Sequence, residues 1–231
     1  MSLNHAILDV VAGQSLLYRP DMEHDACGVG MVANIHGTRS HEILKIALTS
    51  VCNLNHRGAL DADAKTGDGA GVLTQVPHRF FTRILKEMGH NLYHPNDLGV
   101  GMVFFPEQNP YDRERCREII EQVIAKRGLH LFGWRKVPVR ADVLGDKALD
   151  TCPAIEQVFI GRPANLRLTG DQYERLLFLC RNEIEDRALA DHIKDFYIPS
   201  FSSRTIVYKG LLSSPQLPNF YPDLKEPDYE T

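Results

Sequence analysis

The chain has little that would tie it to a metal cluster, a membrane or a nucleic acid. Its 231 residues include five cysteines, Cys27, Cys52, Cys116, Cys152 and Cys180, each far from the next. Iron–sulfur ligation needs closely spaced cysteines, and that spacing is absent. An odd number of scattered cysteines without a secretion signal points to a reducing cytosol rather than a disulfide framework. No run of consecutive apolar residues is long enough to span a bilayer. Lys and Arg are dispersed and the formal net charge is −4, which argues against a nucleic-acid footprint. The ten histidines form no H-E-x-x-H pattern. Tandem repeats and low-complexity tracts are also missing.

What is present is ample material for a core: 43% of the residues are hydrophobic, in a length that allows one large domain or two small ones. Strand and helix patterns alternate. Residues 28–34 read as a buried strand with a turn at Gly37. From Ser40, a plausible N-cap, the positions Ile43, Leu44, Ala47, Leu48, Val51 and Leu54 keep helical spacing. Residues 72–76 predict a strand, and Phe80, Phe81, Ile84, Leu85 and Met88 a helix stopped at Gly89. Residues 98–105 predict another strand, followed by a helix that Asp112 caps and Gly128 ends, with Cys116, Ile119, Ile120, Val123 and Ile124 on one face. Cys180 shares helical spacing with Leu176, Leu177 and Ile184, so Cys116 and Cys180 both read as core residues. Residues 155–160 and 196–208 supply further strands, the latter broken by Pro199, which belongs at an edge or bulge. The proline-bearing stretch 213–231 carries little apparent core and is expected to be loosely held. Such alternation predicts a layered α+β or α/β domain.

Three motifs carry chemistry. Cys27 opens Cys27-Gly28-Val29-Gly30 after an acidic, polar approach that ends Asp25-Ala26. Cleavage before such a cysteine frees an α-amine beside the thiol, so one residue supplies both nucleophile and base. An α-amino group titrates near ~7.7–8.0, suited to taking a thiol proton at neutral pH. The alternatives for Cys27 are a buried core thiol or a lipoprotein site, and the latter requires an apolar approach that Asp9 interrupts here. Next comes His56-Arg57-Gly58-Ala59, which could equally be a basic helix end with a glycine stop. After Asp61 and Asp63 follows Thr66-Gly67-Asp68-Gly69-Ala70-Gly71, a poor phosphate loop because no Lys-Ser/Thr comes after it.

In this order the motifs resemble the start of a class II glutamine amidotransferase domain, specifically that of glutamate synthase large chains. Gly101-Met102-Val103-Phe104-Phe105-Pro106, Gly133-Trp134-Arg135-Lys136-Val137-Pro138, Gln157-Val158-Phe159-Ile160 and Ser202-Ser203-Arg204-Thr205-Ile206 continue the resemblance to the last residue. The resemblance implies a four-layer αββα sandwich of N-terminal-nucleophile hydrolases (α+β), incomplete at the C-terminus. It divides the chain into a leader, residues 1–26, and the N-terminal part of the amidotransferase domain, residues 27–231. It further implies a glutaminase half-reaction with Cys27 as nucleophile, and Arg57, Gly58, Gly67, Asp68 and Gly69 in the substrate-binding or active-site region. The guanidinium fork of Arg57 suits a carboxylate or backbone carbonyl, and Gly58 lets backbone approach closely.

The resemblance also implies partners: glutamine, the remaining part of the large chain, and a small subunit that oxidises NAD(P)H, with no nucleic acid and no membrane. No cofactor is expected on this segment, while FMN and an iron–sulfur cluster are expected in the complete parent enzyme. Relatives supply a substrate arginine from an Arg-Phe-Ser-Thr segment and an oxyanion hole from an Asn-Gly pair, and neither sequence occurs here. Losing one oxyanion donor typically costs ~10²–10³ in rate, so the 231 residues alone are expected to be nearly inactive and to be a fragment prone to aggregate. Two other readings stand beside this one: a non-catalytic docking remnant, and a structural zinc module built from His24, Cys27, Cys52 and His56. Trp134 reads as a packing residue, and Ser202-Ser203-Arg204 as strand rather than as a hydroxyl nucleophile.

Overall fold

The computed structural model describes residues 28–55, 61–63, 65–92, 94–162 and 168–231. Its elements run α1 His41–Asn53, β1 Ala70–Gln75, α2 His78–Glu87, β2 Leu98–Phe105, α3 Pro110–Lys126, β3 His130–Lys136, α4 Asp146–Asp150, β4 Ala154–Gly161, α5 Gly170–Ala190, β5 Tyr197–Ser202, β6 Thr205–Gly210 and α6 Leu217–Phe220. All strand pairs are antiparallel. One sheet has the order β3-β4-β2-β5 and the other pairs β1 with β6. Mixed helices with antiparallel sheets make the fold α+β.

The central strands β2 and β4 of the four-stranded sheet are buried on both faces, and each face owns its own core. Along β4 the residues alternate strictly. Ile155 and Phe159 face a core shared with Val72, Ile206 and Tyr208 of the two-stranded sheet, while Ala154, Val158 and Ile160 face helices α3 and α5. In α5 the stripe Tyr173, Leu177, Cys180, Ile184 and Ala188 is buried, at the i, i+4, i+7 spacing of a core-facing helix. Gly99 lets this helix close on β2, and Gly101 makes room for side chains of the two flanking strands. A Cβ on Gly99 would sit 2.8 Å from Tyr173 Oη, and one on Gly101 would sit 2.6 Å from both Phe201 and Val158.

Local signals set the element ends. Ser40 caps α1, its hydroxyl accepting from Ile43 N. Thr169 and Gln172 form a capping box on α5, which satisfies two orphan amides reciprocally. Gly89 (φ +86°) and Gly128 (φ +68°) follow the ends of α2 and α3 in the left-handed region that glycine enters without cost to a Cβ. Pro199 lies in β5, the edge strand, where the register against β2 shifts, so no ladder bond is lost to the missing N–H.

Three expectations are corrected. Residues 28–34 form no strand: they run without ladder partners, and Val29 and Met31 are 89% and 91% exposed. An apolar run becomes strand only when a neighbouring edge accepts its backbone groups. The cap of α3 is Asn109, whose side chain accepts from Asp112 N at 3.2 Å, with Pro110 in the first turn. Asp112 lies inside the helix. Finally, the stretch 213–231 is firmly packed. Leu217, Phe220, Tyr221, Leu224 and Tyr229 are buried in the inter-sheet core.

That segment is also pinned by polar bonds. Asp223 accepts two hydrogen bonds from Arg135, both at 2.8 Å, and one from Tyr208 Oη at 2.9 Å. Gln157 completes the ring, accepting from Arg135 and donating to Tyr208. Burial holds the Tyr208 hydroxyl protonated, its pKa pushed well above the usual phenol range. On the outside, Arg83 grips Asp228 through two bonds and Glu226 through a third. Among the described residues no helix is long and apolar enough to cross a membrane.

Candidate functional site

The glycine turn before β1 is the sequence-predicted motif that the structure describes in full. Asp63 initiates it. Its Oδ1 accepts from Lys65 N at 2.9 Å and Thr66 N at 2.7 Å, and its Oδ2 accepts the Thr66 hydroxyl. Asp side chains that bond the backbone two and three residues on are standard turn formers. These bonds, led by the Thr66 hydroxyl, hold the Asp63 carboxyl far below the usual carboxylate range. Asp61 is lowered as well, chiefly by the Lys147 ammonium that it binds.

Downstream of this anchor Gly67 is pressed against the backbone of Leu212 and Ser213. A Cβ there would lie 2.3 Å from Ser213 N and 2.4 Å from Leu212 O, so only glycine fits. Gly69 takes φ +136°, a conformation that side chains rarely adopt. Gly67 is buried, whereas Asp68 and Gly69 are exposed at the mouth of β1.

Residues 68–73 divide two open clefts, one of about 1570 Å³ toward Lys209 and Tyr197, the other of about 1370 Å³ toward α1. The second is the candidate site, because it gathers the described neighbours of all three motifs. Gly28, next in sequence to Cys27, lies on its wall with Leu54 and Asn55, which precede His56, and with Asp68 and Gly69. Gly28 packs on the end of α1: a Cβ there would touch Leu54 at 3.1 Å. Cys27, His56, Arg57 and Gly58 themselves lie outside the described residues, as does the leader, residues 1–26. Of the four zinc candidates only Cys52 is described, and its thiol faces Ser214 O at 3.7 Å.

The other described cysteines suit packing. Burial pushes the thiol of Cys116 up to about 12 and that of Cys180 to about 11, each on the helix face turned to the four-stranded sheet. Ser202 and Ser203 bond the carboxylate of Glu174 and tie the β5–β6 corner to α5. Trp134 stacks on Arg117 and donates to Glu121, a packing role. The sequence reading missed Thr66 and Gln216. The Asp-x-x-Thr spacing was a signal for the first, but nothing local marks Gln216, which meets Lys65 O at 3.0 Å from 151 positions away.

Comparison with known proteins places this chain in a family. The family model for glutamine amidotransferases class-II matches residues 27–231. The glutamate synthase (NADPH) large chain of Azospirillum brasilense is 42% identical over 214 residues, covering 93% of this chain and 14% of that protein. Ferredoxin-dependent glutamate synthase 2 of Synechocystis sp. is 42% identical over 207 residues, 90% of this chain and 13% of the relative. The glutamate synthase (NADH) of Saccharomyces cerevisiae is 36% identical over 236 residues, 99% of this chain and 11% of the relative. The chain thus spans about one-seventh of the length of the curated relatives it matches. With a family match that begins at Cys27 and runs through the glycine turn to the last residue, this chain belongs to the class-II glutamine amidotransferases.

Proposed function

We propose that the chain carries the glutaminase half-reaction of a glutamate synthase, with Cys27 as its nucleophile once residues 1–26 are removed. The observation that carries this reading is the convergence of Gly28, Asn55, Asp68 and Gly69 on one cleft, which brings the segment that follows Cys27 against the neighbours of the two motifs that lie beyond α1 in sequence. The start of the family match at Cys27 supports cleavage at that bond.

In the proposed reaction the α-amine of Cys27 takes the thiol proton, and the thiolate attacks the side-chain amide carbon of glutamine. The tetrahedral adduct collapses as the protonated amine returns its proton to the leaving nitrogen. Ammonia departs and a thioester remains. Water, deprotonated by the same amine, cleaves the thioester to glutamate and restores the thiol. Arg57 would hold a carboxylate or carbonyl beside the nucleophile, and the glycines at 58 and 69 would let backbone amides approach the substrate, while Gly67 would set the turn through its close packing on the 212–213 backbone.

For the fold, the reading assigns four layers: α3 and α5 outside the four-stranded sheet, the β1–β6 sheet across the core, and α1 beyond it. The packing of Cys116 and Cys180 supports the first two layers. Ammonia would pass on to amination of 2-oxoglutarate in a synthase region outside these 231 residues, within a cytoplasmic enzyme that includes a small NAD(P)H-oxidising subunit. FMN and an iron–sulfur cluster would belong to that region. The described cysteines do not fit a cluster, since two are closed inside an apolar core with thiols held protonated. Neither an Asn-Gly pair nor an Arg-Phe-Ser-Thr segment occurs in these residues, so turnover by them alone should be slow.

Glutamate release from glutamine, followed for the parent and for Cys27→Ala, tests the reading. Slow release that the substitution abolishes supports it. Equal release by both proteins overturns it.

A further inference from the structure

The glycine turn is held by side chains that take no part in the chemistry above. We propose that Asp63, Thr66 and Gln216 are positioning residues, forming a latch that fixes Gly67, Asp68 and Gly69 for glutamine, an inference that rests on the glutaminase reading. The latch joins three segments distant in sequence. Asp63 gathers the Lys65 and Thr66 amides and the Thr66 hydroxyl, and that hydroxyl receives Ala148 N at 3.4 Å. Gln216 spans the other side. Its Nε2 donates to Lys65 O at 3.0 Å and to Val143 O at 2.8 Å, while its Oε1 accepts from Ser213 N at 2.7 Å.

There is no slack in this arrangement. A Cβ on Gly145 would fall 2.4 Å from Thr66 Oγ1 and 2.5 Å from Asp63 Oδ2, and one on Gly67 would strike the 212–213 backbone. Thr66 and Gly67 are therefore clamped between two glycine-only contacts. Gly69, by contrast, has only Gly210 O near its Cβ direction, at 3.7 Å, so packing does not fix it. Its position is inherited from the latch on one side and from the β1–β6 ladder on the other. An active-site displacement of about 1 Å can cost ~10²-fold in rate, so a polar latch remote from the reacting atoms can govern substrate reactivity. The carboxyl of Asp63 stays ionised well below neutral pH, which keeps the latch closed under ordinary conditions.

The test uses the full chain in three forms: parent, Asp63→Ala and Asp63→Asn. Asparagine keeps the oxygen that serves the two backbone amides. Alkylation of Cys27 by a diazoketone analogue of glutamine is compared with alkylation by iodoacetamide, which needs no substrate turn. The expected result is a loss of about tenfold or more in the analogue rate for Asp63→Ala, unchanged iodoacetamide rates, and substantial rescue by Asp63→Asn. An analogue rate equal to the parent's overturns the proposal, and so does an equal fall with both reagents, which would mark general damage. Amide hydrogen exchange over residues 65–71 is measured on the same samples and should accelerate by about tenfold or more in Asp63→Ala alone. If the analogue fails to label Cys27 in the parent, the glutaminase reading falls, and the exchange result still decides the latch: unchanged exchange rejects it.

Discussion

Replacing Asp223 by alanine should cost this fold a large part of its stability. Asp223 is 2% exposed and accepts three hydrogen bonds, two from the Arg135 guanidinium and one from Tyr208. The Arg135 side chain is itself only 16% exposed. Alanine would leave a largely buried cation without its counter-ion and a buried phenol without its acceptor. Breaking a buried pair on one side typically costs ~3–5 kcal/mol, against a total of ~5–15 kcal/mol for a natural domain. Gln157 would still contact both orphaned groups, which argues for the lower end of that range. Urea denaturation followed by the fluorescence of Trp134, the single tryptophan, reports on β3 beside Arg135. With a slope near ~2 kcal/mol/M the lower end of that range lowers the midpoint by ~1.5 M. The double change Asp223→Leu with Arg135→Met, which removes both charges, should recover most of the loss. A shift below ~0.5 M for Asp223→Ala would refute the claim that the 213–231 segment is locked by this network.

Four further outcomes follow from the geometry. Gly67→Ala drives a Cβ into backbone that cannot yield and should lower the melting temperature by ~6–12 °C, equivalent to ~3 kcal/mol. Gly30→Ala, with nothing within 4 Å, should change the stability by no more than ~0.5 kcal/mol. His78 is half-buried, its Nδ1 has no partner among the described residues, and burial together with Arg39 lowers its pKa to about 4. Between an unfolded value of ~6.5 and that folded value the unfolded chain binds the proton and the native chain does not, so stability falls as pH drops through this window. Allowing for solvent screening, the loss should be ~1 kcal/mol, and His78→Leu should flatten it in denaturation curves at pH ~7 and ~4.5. Cys116 and Cys180, with thiols raised by burial, should react with an aromatic disulfide reagent only on unfolding. Rapid native-state reaction of either would contradict the core assignment.

Strand β2 was legible in the sequence because it is apolar on both faces, β4 because a run of apolar residues ends it at Val158-Phe159-Ile160, and helices α1 and α2 because a 3.6-residue stripe begins or ends at a recognisable cap or glycine. Strand β3 was not. Gly133 takes φ +138° where the register against β4 slips between Leu131 and Gly133, and a bulge interrupts the alternation on which strand recognition depends. The tail 213–231 misled for a related reason: its buried aromatics Phe220 and Tyr221 end a four-residue helix that lies between two short 3₁₀ turns, so they follow neither period. In residues 28–34 the apolar content was plain, but pairing is a property of the neighbour and not of the segment. At the candidate site the glycine turn could be read as punctuation, whereas the role of Asp63 as its initiator came only with its bonds to Lys65 and Thr66. Gln216 could not, because its bonds to Lys65 and Val143 exist only once distant loops have met.

The central claim, that Cys27 is a processed nucleophile beside the glycine-turn cleft, is most directly tested by mass. The purified chain is incubated with the diazoketone analogue of glutamine, and its intact mass and tryptic peptides are determined. The account predicts a polypeptide shortened by its first 26 residues, carrying one adduct on the peptide that begins with Cys27. An uncut terminus with no adduct, or an adduct on another cysteine while Cys27 stays free, would contradict it.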